Sequence, residues 1–245
     1  MRTKLILLLT VTIFLSGVSL QAGYYHDAYD AYKAKDYDES IKILQEGLDA
    51  APNDEQLAKL LGQVYFKIKK TKEAEEAFLK TINLNPEDHL AHYYLGICYT
   101  LRRDENNKPK PAFFEASQSF AKAVELNPEN YKYNYQLGHS LLMLRKFAQA
   151  KDPLEKAWNT EKGKKDYKVP TDLGVIYQSM DMNTEAIEMF EKAIELNPKK
   201  DAPYQYLGSL YLAEKNYDKV TELGEKLISL NPEEAKGYSF RGYGQ

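Results

Sequence analysis

A Leu-Gly pair recurs five times along this 245-residue chain, at Leu61-Gly62, Leu95-Gly96, Leu137-Gly138, Leu173-Gly174 and Leu207-Gly208. The steps between pairs are 34, 42, 36 and 34 residues. A second series, Pro52, Pro86, Pro128, Pro198 and Pro232, keeps the same beat. Two independent markers sharing a 34-residue period define an internal repeat whose unit is a helix-turn-helix pair. One such pair cannot bury its own hydrophobic face, so neighbours must stack into an all-α solenoid. A stack of this kind offers an extended surface rather than an enclosed catalytic pocket.

With each proline numbered 32 within its repeat, the Leu-Gly pair falls at positions 7 and 8, and other slots fill in register. Position 11 holds Tyr65, Tyr99, Tyr177 and Tyr211, with Leu141 as a substitute. Position 20 holds Ala74, Ala116, Ala150 and Ala186. Position 24 holds Phe78, Phe120, Leu154 and Phe190, and position 27 holds Ala123, Ala157 and Ala193. Small residues at 8, 20 and 27 let two helices approach closely, large ones at 11 and 24 fill the space between them, and proline ends the second helix.

This Leu-Gly-x-x-Tyr, Ala-x-x-x-Phe, Pro pattern resembles the tetratricopeptide repeat (TPR) family. The resemblance implies an α-solenoid wound as a right-handed superhelix. It would hold about six repeats, approximately 23–54, 55–88, 89–130, 131–166, 167–200 and 201–234, followed by a capping helix at 235–245. Phe240 and Tyr243 are the residues expected to pack that cap onto the last repeat.

Four departures from the pattern carry their own expectations. In repeat 6 the large slot holds Gly224 while the small slots hold Val220 and Leu227, which reads as a compensated exchange of volume. Repeat 4 has Lys162 where its proline should be, and carries Pro153 inside its second helix. An interior proline costs about 3 kcal/mol, which predicts a kink and a weak hinge there. Eight residues inserted after Tyr99 predict a projecting polar loop at 102–111. Two more near 163–166 predict only a longer turn.

The first 22 residues form a separate segment. Arg2 and Lys4 precede an apolar run from Leu5 to Leu15, then Ser16, Gly17, Ser19 and Ala22. That order describes a secretory signal peptide cleaved after Ala22; an uncleaved anchor is the alternative reading. Export to the periplasm or outside is the implied address. The single cysteine, Cys98, is far from the leader, so no lipid anchor is expected at the mature N-terminus. Cleavage would take the formal net charge from −3 to −5 by removing Arg2 and Lys4. A charge of that sign argues against nucleic acid as a partner.

No catalytic or metal constellation is legible, and neither enzymatic activity nor a cofactor is expected. His89 and His92 lie three apart, but His92 occupies position 4, a packing slot. Cys98 at position 10 reads as a small buried hydrophobe. In the resembled family, positions 2, 5, 9, 12 and 13 of each first helix line a concave groove. By register, those positions here supply Tyr25, Tyr29 and Tyr32, then Lys59, Gln63 and Phe66, then Tyr93 and Ile97, and finally Lys132, Tyr135 and His139. Repeats 5 and 6 are blander.

The family's terminal-carboxylate clamp is poorly matched, because Gln63, Tyr94 and Gln136 stand where Asn, Asn and Arg belong. The chain has 20 tyrosines, and Tyr rings offer apolar area and one hydroxyl at low entropic cost. The expected partner is therefore a protein or peptide segment, received by a monomer or weak oligomer. The implied role is a scaffold or adaptor in a bacterial cell envelope. Alternatives are an assembly factor for an outer-membrane, pilus or secretion complex acting through the 102–111 loop, or glycan binding on the same aromatics.

Overall fold

A computed structural model of the chain describes residues 23–233 and 235–243. The expected leader and the last two residues of the expected cap lie outside the described residues. Everything described is helix, turn or loop, with no strand among the described residues. The chain divides into two compact units, the first ending at Leu126 and the second beginning at Asn127.

The first unit contains α1 (residues 23–33), α2 (Tyr37–Ala50), α3 (Glu55–Lys67), α4 (Thr71–Leu84), α5 (His89–Thr100) and α6 (Phe113–Leu126). The second contains α7 (Tyr131–Met143), α8 (Phe147–Trp158), α9 (Lys168–Ser179), α10 (Asn183–Leu196), α11 (Asp201–Ala213), α12 (Tyr217–Leu230) and a final helix α13 (Ala235–Gly242). Each unit is thus a run of three helix pairs, and the second adds a terminal helix. Odd-numbered helices up to α11 open each repeat and even-numbered helices close it.

Local chemistry explains the boundaries. Asp54, Asp88 and Asn130 each accept a hydrogen bond from the first-turn amides of α3, α5 and α7, satisfying donors the helix leaves open. At the other end of a repeat, Asn85, Asn197 and Asn231 cap α4, α10 and α12, and two of them take extended backbone because a proline follows. Their side chains then accept the amides of Glu87, Lys199 and Glu233, closing a small turn over that proline.

Between the two helices of a repeat the chain turns through a left-handed residue at position 15: Lys35, Lys69, Arg145, Asp181 and Lys215, all with φ near +60°. The following amide reaches back to the carbonyl of position 11, as Lys70 does to Tyr65 at 2.9 Å. No glycine occupies these sites, so each turn carries the steric cost of a left-handed side chain.

In the four pairs from α3 to α10, the ring or branched chain at position 24 lies directly on the glycine of position 8, a slot that Ala28 fills in the first pair. A Cβ at Gly62, Gly96 or Gly174 would come within 2.8, 2.6 or 2.5 Å of Phe78, Phe120 or Phe190. Leu154 covers Gly138 in the same way. In the last repeat, the exchange of volume expected around Gly224 takes a different form. Gly208 is covered by Phe240 of α13, and Gly224 lets the backbone of that helix approach so closely that a Cβ would sit 2.6 Å from the Arg241 nitrogen. Phe240, 3% exposed, supplies the aromatic that the repeat itself lacks.

Repeat 4 resolves its irregularities locally. Helix α8 is one α-helix with Pro153 buried inside it, and not two segments broken at the proline. The missing proline at 162 is replaced by a short 3-10 turn at Gly163–Lys165. There Gly163 presses against the Ala157 carbonyl, where a Cβ would lie 1.8 Å from the oxygen.

Phe240→Ala should destabilise the last pair by about 3–5 kcal/mol, whereas Lys69→Gly, which relieves a left-handed side chain, should stabilise the first unit by roughly 0.5–1 kcal/mol. Hydrogen exchange resolved by helix checks both; unchanged protection of α11 and α12 in the Phe240 variant would contradict the first.

Candidate functional site

The register places candidate residues on the opening helix of each repeat, and the first unit gathers most of them. On α1, Tyr25, Tyr29 and Tyr32 form a ladder, with ring centroids 6.0 and 6.3 Å apart, extended by Tyr37 at 5.9 Å from Tyr32. Lys33 lies 4.6 Å over the Tyr29 ring. Among the described residues, the hydroxyls of Tyr25, Tyr29 and Tyr32 have no hydrogen-bond partner. The rings are half-buried and pack against the core around Leu44 and Leu57.

Two contacts join this ladder to α3 and α5, whose own rings then meet one another. Tyr25 lies near enough to Lys59 to influence its charge. Burial, with the Tyr32 hydroxyl close by, pushes the Tyr94 hydroxyl above its ordinary pKa. Phe66 packs on Tyr94 at 5.3 Å, and Tyr93 packs edge-on to Tyr94 at 5.4 Å. Tyr93 itself leans on Phe120 and is mostly buried, so it belongs as much to the core as to the surface. Gln63 and Ile97 are half-buried on the same helices.

Lys59 is not the available cation that the sequence suggested. Its ammonium sits 2.8 Å from Asp88 and 3.7 Å from Glu55. Burial disfavours the Lys59 charge, but the hydrogen bond and charge of Asp88 more than offset it, and the pKa rises. Asp88 answers in kind: burial opposes its charge, yet Lys59 and the Ala91 amide hold its carboxyl below the usual range. The pair pins α3 to the N-terminus of α5 and contributes position rather than a free charge.

In the second unit, Tyr131, Tyr135 and His139 stack along α7, with centroid separations of 6.4 and 5.8 Å. Here the polar tips are engaged. Tyr131 donates to Asp166, His139 Nδ1 sits 2.8 Å from Asp172 Oδ2, and the Tyr135 hydroxyl lies near both carboxylates. Burial and the two carboxylates push the Tyr135 hydroxyl far up, keeping it a neutral donor. Lys132 is exposed.

Position 6 of the opening helix is the slot that register reasoning left out. It holds Tyr94, Asp172 and Tyr206. Tyr94 stacks on Phe78 at 5.2 Å and Tyr206 on Phe190 at 5.3 Å, each lying on the position-24 ring of the preceding repeat. The recurrence of Tyr at that slot was the available signal. Other tyrosines are structural: Gln45, Glu155 and Glu191, all at position 25, bond the position-11 hydroxyls of Tyr65, Tyr177 and Tyr211.

His92, Asn134 and Tyr204 share position 4 and reach the carbonyls of Pro86, Pro128 and Pro198. His92 is thus a polar tie rather than a bulky filler. Cys98 is fully buried, and burial pushes its thiol up to about 12. Among the described residues no group of three or more His, Cys, Asp or Glu is placed to hold a metal ion. No described helix is long and apolar enough to cross a membrane.

Comparison with known proteins follows the same lines. Family models for the tetratricopeptide repeat match residues 31–99 and 171–200. Among solved structures, the chain is similar to YrrB, a TPR protein with an unusual peptide-binding site, at a TM-score of 0.70 and 20% identity over 81% of this chain and 97% of that one. It is similar to PilF of Pseudomonas aeruginosa, at a TM-score of 0.66 and 16% identity over 93% and 99%. A MamA structure, MSR-1 C2, aligns at a TM-score of 0.59 and 26% identity over 73% and 97%. No curated protein matches the chain in sequence. The tetratricopeptide-repeat family is supported by both kinds of match, and the fold is that of a TPR solenoid.

The hydrogen bond that His139 donates to the Asp172 carboxylate holds the imidazole above its ordinary pKa of 6.5, against burial and nearby Lys168. The stabilisation from this pair is complete below pH 6.5 and fades as pH rises through the raised folded value. NMR titration should find His139 above 6.5 in the parent and back toward 6.5 in Asp172→Asn. A parent midpoint at or below 6.5 would refute the pairing.

Proposed function

We propose that the chain is a non-enzymatic interaction scaffold whose first unit receives an extended segment of a partner protein along the Tyr25–Tyr29–Tyr32 face. The observation carrying this is the open ladder of stacked rings on α1, whose hydroxyls lack partners among the described residues while the equivalent tips on α7 are engaged. Stacked Tyr rings present rigid apolar area and a row of hydrogen-bonding hydroxyls, the combination that suits docking of an extended backbone. Phe66 and Tyr94 continue the apolar strip onto α3 and α5. YrrB, similar in fold, is a TPR protein with a peptide-binding site, which is consistent with this use.

The setting proposed is the bacterial cell envelope, reached through the leader at residues 1–22 and without a lipid anchor. The reading is of a monomer or weak oligomer that positions one envelope protein for another. Service to an outer-membrane, pilus or secretion complex is the narrower version of the same proposal.

Two measurements address the two halves of this reading. A photo-crosslinking amino acid placed at Tyr29 in living cells should give discrete adducts that are lost when it is moved to exposed Lys226 in the second unit. Equal yields from both positions would displace the site from α1. Mass spectrometry of the cellular protein should find a chain beginning at Gly23; an intact Met1 would contradict export by cleavage.

A further inference from the structure

The insertion between α5 and α6 is a folded hairpin, and it builds a second, chemically different surface. Arg103 and Pro109 form an antiparallel bridge, and the Lys110 amide donates to the Arg102 carbonyl at 2.8 Å. The Asp104 carboxylate accepts the amides of Asn106 and Lys108, both at 2.9 Å, and Asn107 turns the tip at φ 59°. At the base, Arg102 is fixed by two bonds to Glu75 on α4, at 3.0 and 2.6 Å, and lies 4.4 Å over the Tyr99 ring. The hairpin is therefore anchored across two repeats of the first unit.

Between this hairpin and the start of α4 lies a cleft of about 510 Å³ lined by Lys69, Lys70, Lys72, Leu101 and Arg103, with Arg102, Glu73 and Glu75 also on its wall. Five cationic and two anionic lining side chains leave an excess of three positive charges, in a chain whose formal net charge is −3. Arg102 is spent on Glu75, but among the described residues Lys69 and Lys72 have no ion-pair partner. In the midst of these cations Leu101 stands 49% exposed. Charges at a cleft attract an oppositely charged segment, and an exposed leucine gives it one apolar anchor.

We infer that this cleft docks a short acidic segment of a partner protein carrying one apolar side chain, which Leu101 receives while Lys69, Lys72 and Arg103 pair with the flanking carboxylates. A nucleic acid would meet the same cations but leave the exposed Leu101 without an apolar partner. The site is separate from the Tyr face of α1, and the two stand or fall independently.

The test is fluorescence anisotropy with a fluorescein-labelled hexapeptide, Glu-Asp-Leu-Ser-Asp-Glu. The parent protein should bind it and lose affinity as salt rises past about 0.1 M, where screening sets in at about 10 Å. The Lys69→Glu/Lys72→Glu variant should bind at least about tenfold more weakly. Leu101→Ser should also weaken binding, while Lys226→Glu and Tyr29→Ala leave it unchanged. All these positions are exposed or half-buried, and far-ultraviolet circular dichroism verifies that each variant keeps its helices. No binding by the parent would overturn the inference, as would undiminished binding by both cleft variants. A single-stranded oligonucleotide competing as tightly as the peptide would replace it with a polyanion site.

Discussion

From α3 to α12 the fold depends on the contact of one large side chain with the position-8 glycine of each helix pair. The ring of Phe78, Phe120 or Phe190 occupies the volume a Cβ on Gly62, Gly96 or Gly174 would need. That single approach sets the distance between the two helices of a repeat, and interiors packed at crystal density leave no slack to relax it. The terminal repeat shows how strict the requirement is. With Gly224 in the large slot, the chain folds α13 back and lays Phe240 on Gly208 in place of the missing ring. The terminal helix is thus a working part of the last pair as well as a cover for it.

Once that spacing is fixed, the polar edges follow. Position-11 tyrosines bond back to position 25 of the preceding repeat, and position-4 side chains reach the proline carbonyl behind them. These ties give Tyr65, Tyr177, Tyr204 and Tyr211 a structural role. What stands apart is the opening face of the first unit, where the half-buried rings of α1 stack on one another as well as against the core around Leu44 and Leu57, and the hairpin cleft, where the period slips.

Much of this was legible in the sequence, because a period with two independent markers dictates which residues face which. The helix pairs, the small and large slots, the buried Cys98 and the polar loop all follow from register. Register fails where a partner comes from another element. Lys59 read as a free cation because Asp88, its partner, lies 29 residues away and also caps α5. Phe240 could be named as a packing residue, but not as the occupant of a slot in a helix pair it does not belong to. Position 6 was missed for a different reason: Tyr94, Asp172 and Tyr206 act through the preceding or neighbouring helix, so their role appears only when repeats are stacked.

Pro153 shows the limit of local propensity, since α8 runs through a residue that costs it a hydrogen bond. Packing of Leu154 on Gly138 and of Ala157 in the core holds the segment helical on both sides of the proline.

The central claim is that spacing between helices is set by glycine and ring, leaving the α1 face as the surface on which a partner segment lies. Hydrogen–deuterium exchange of the protein with and without its crosslinked partner segment tests it most directly. The account predicts new protection concentrated in α1, α3 and α5, with α2 and α4 unchanged. Protection falling instead on α2 and α4 would contradict it.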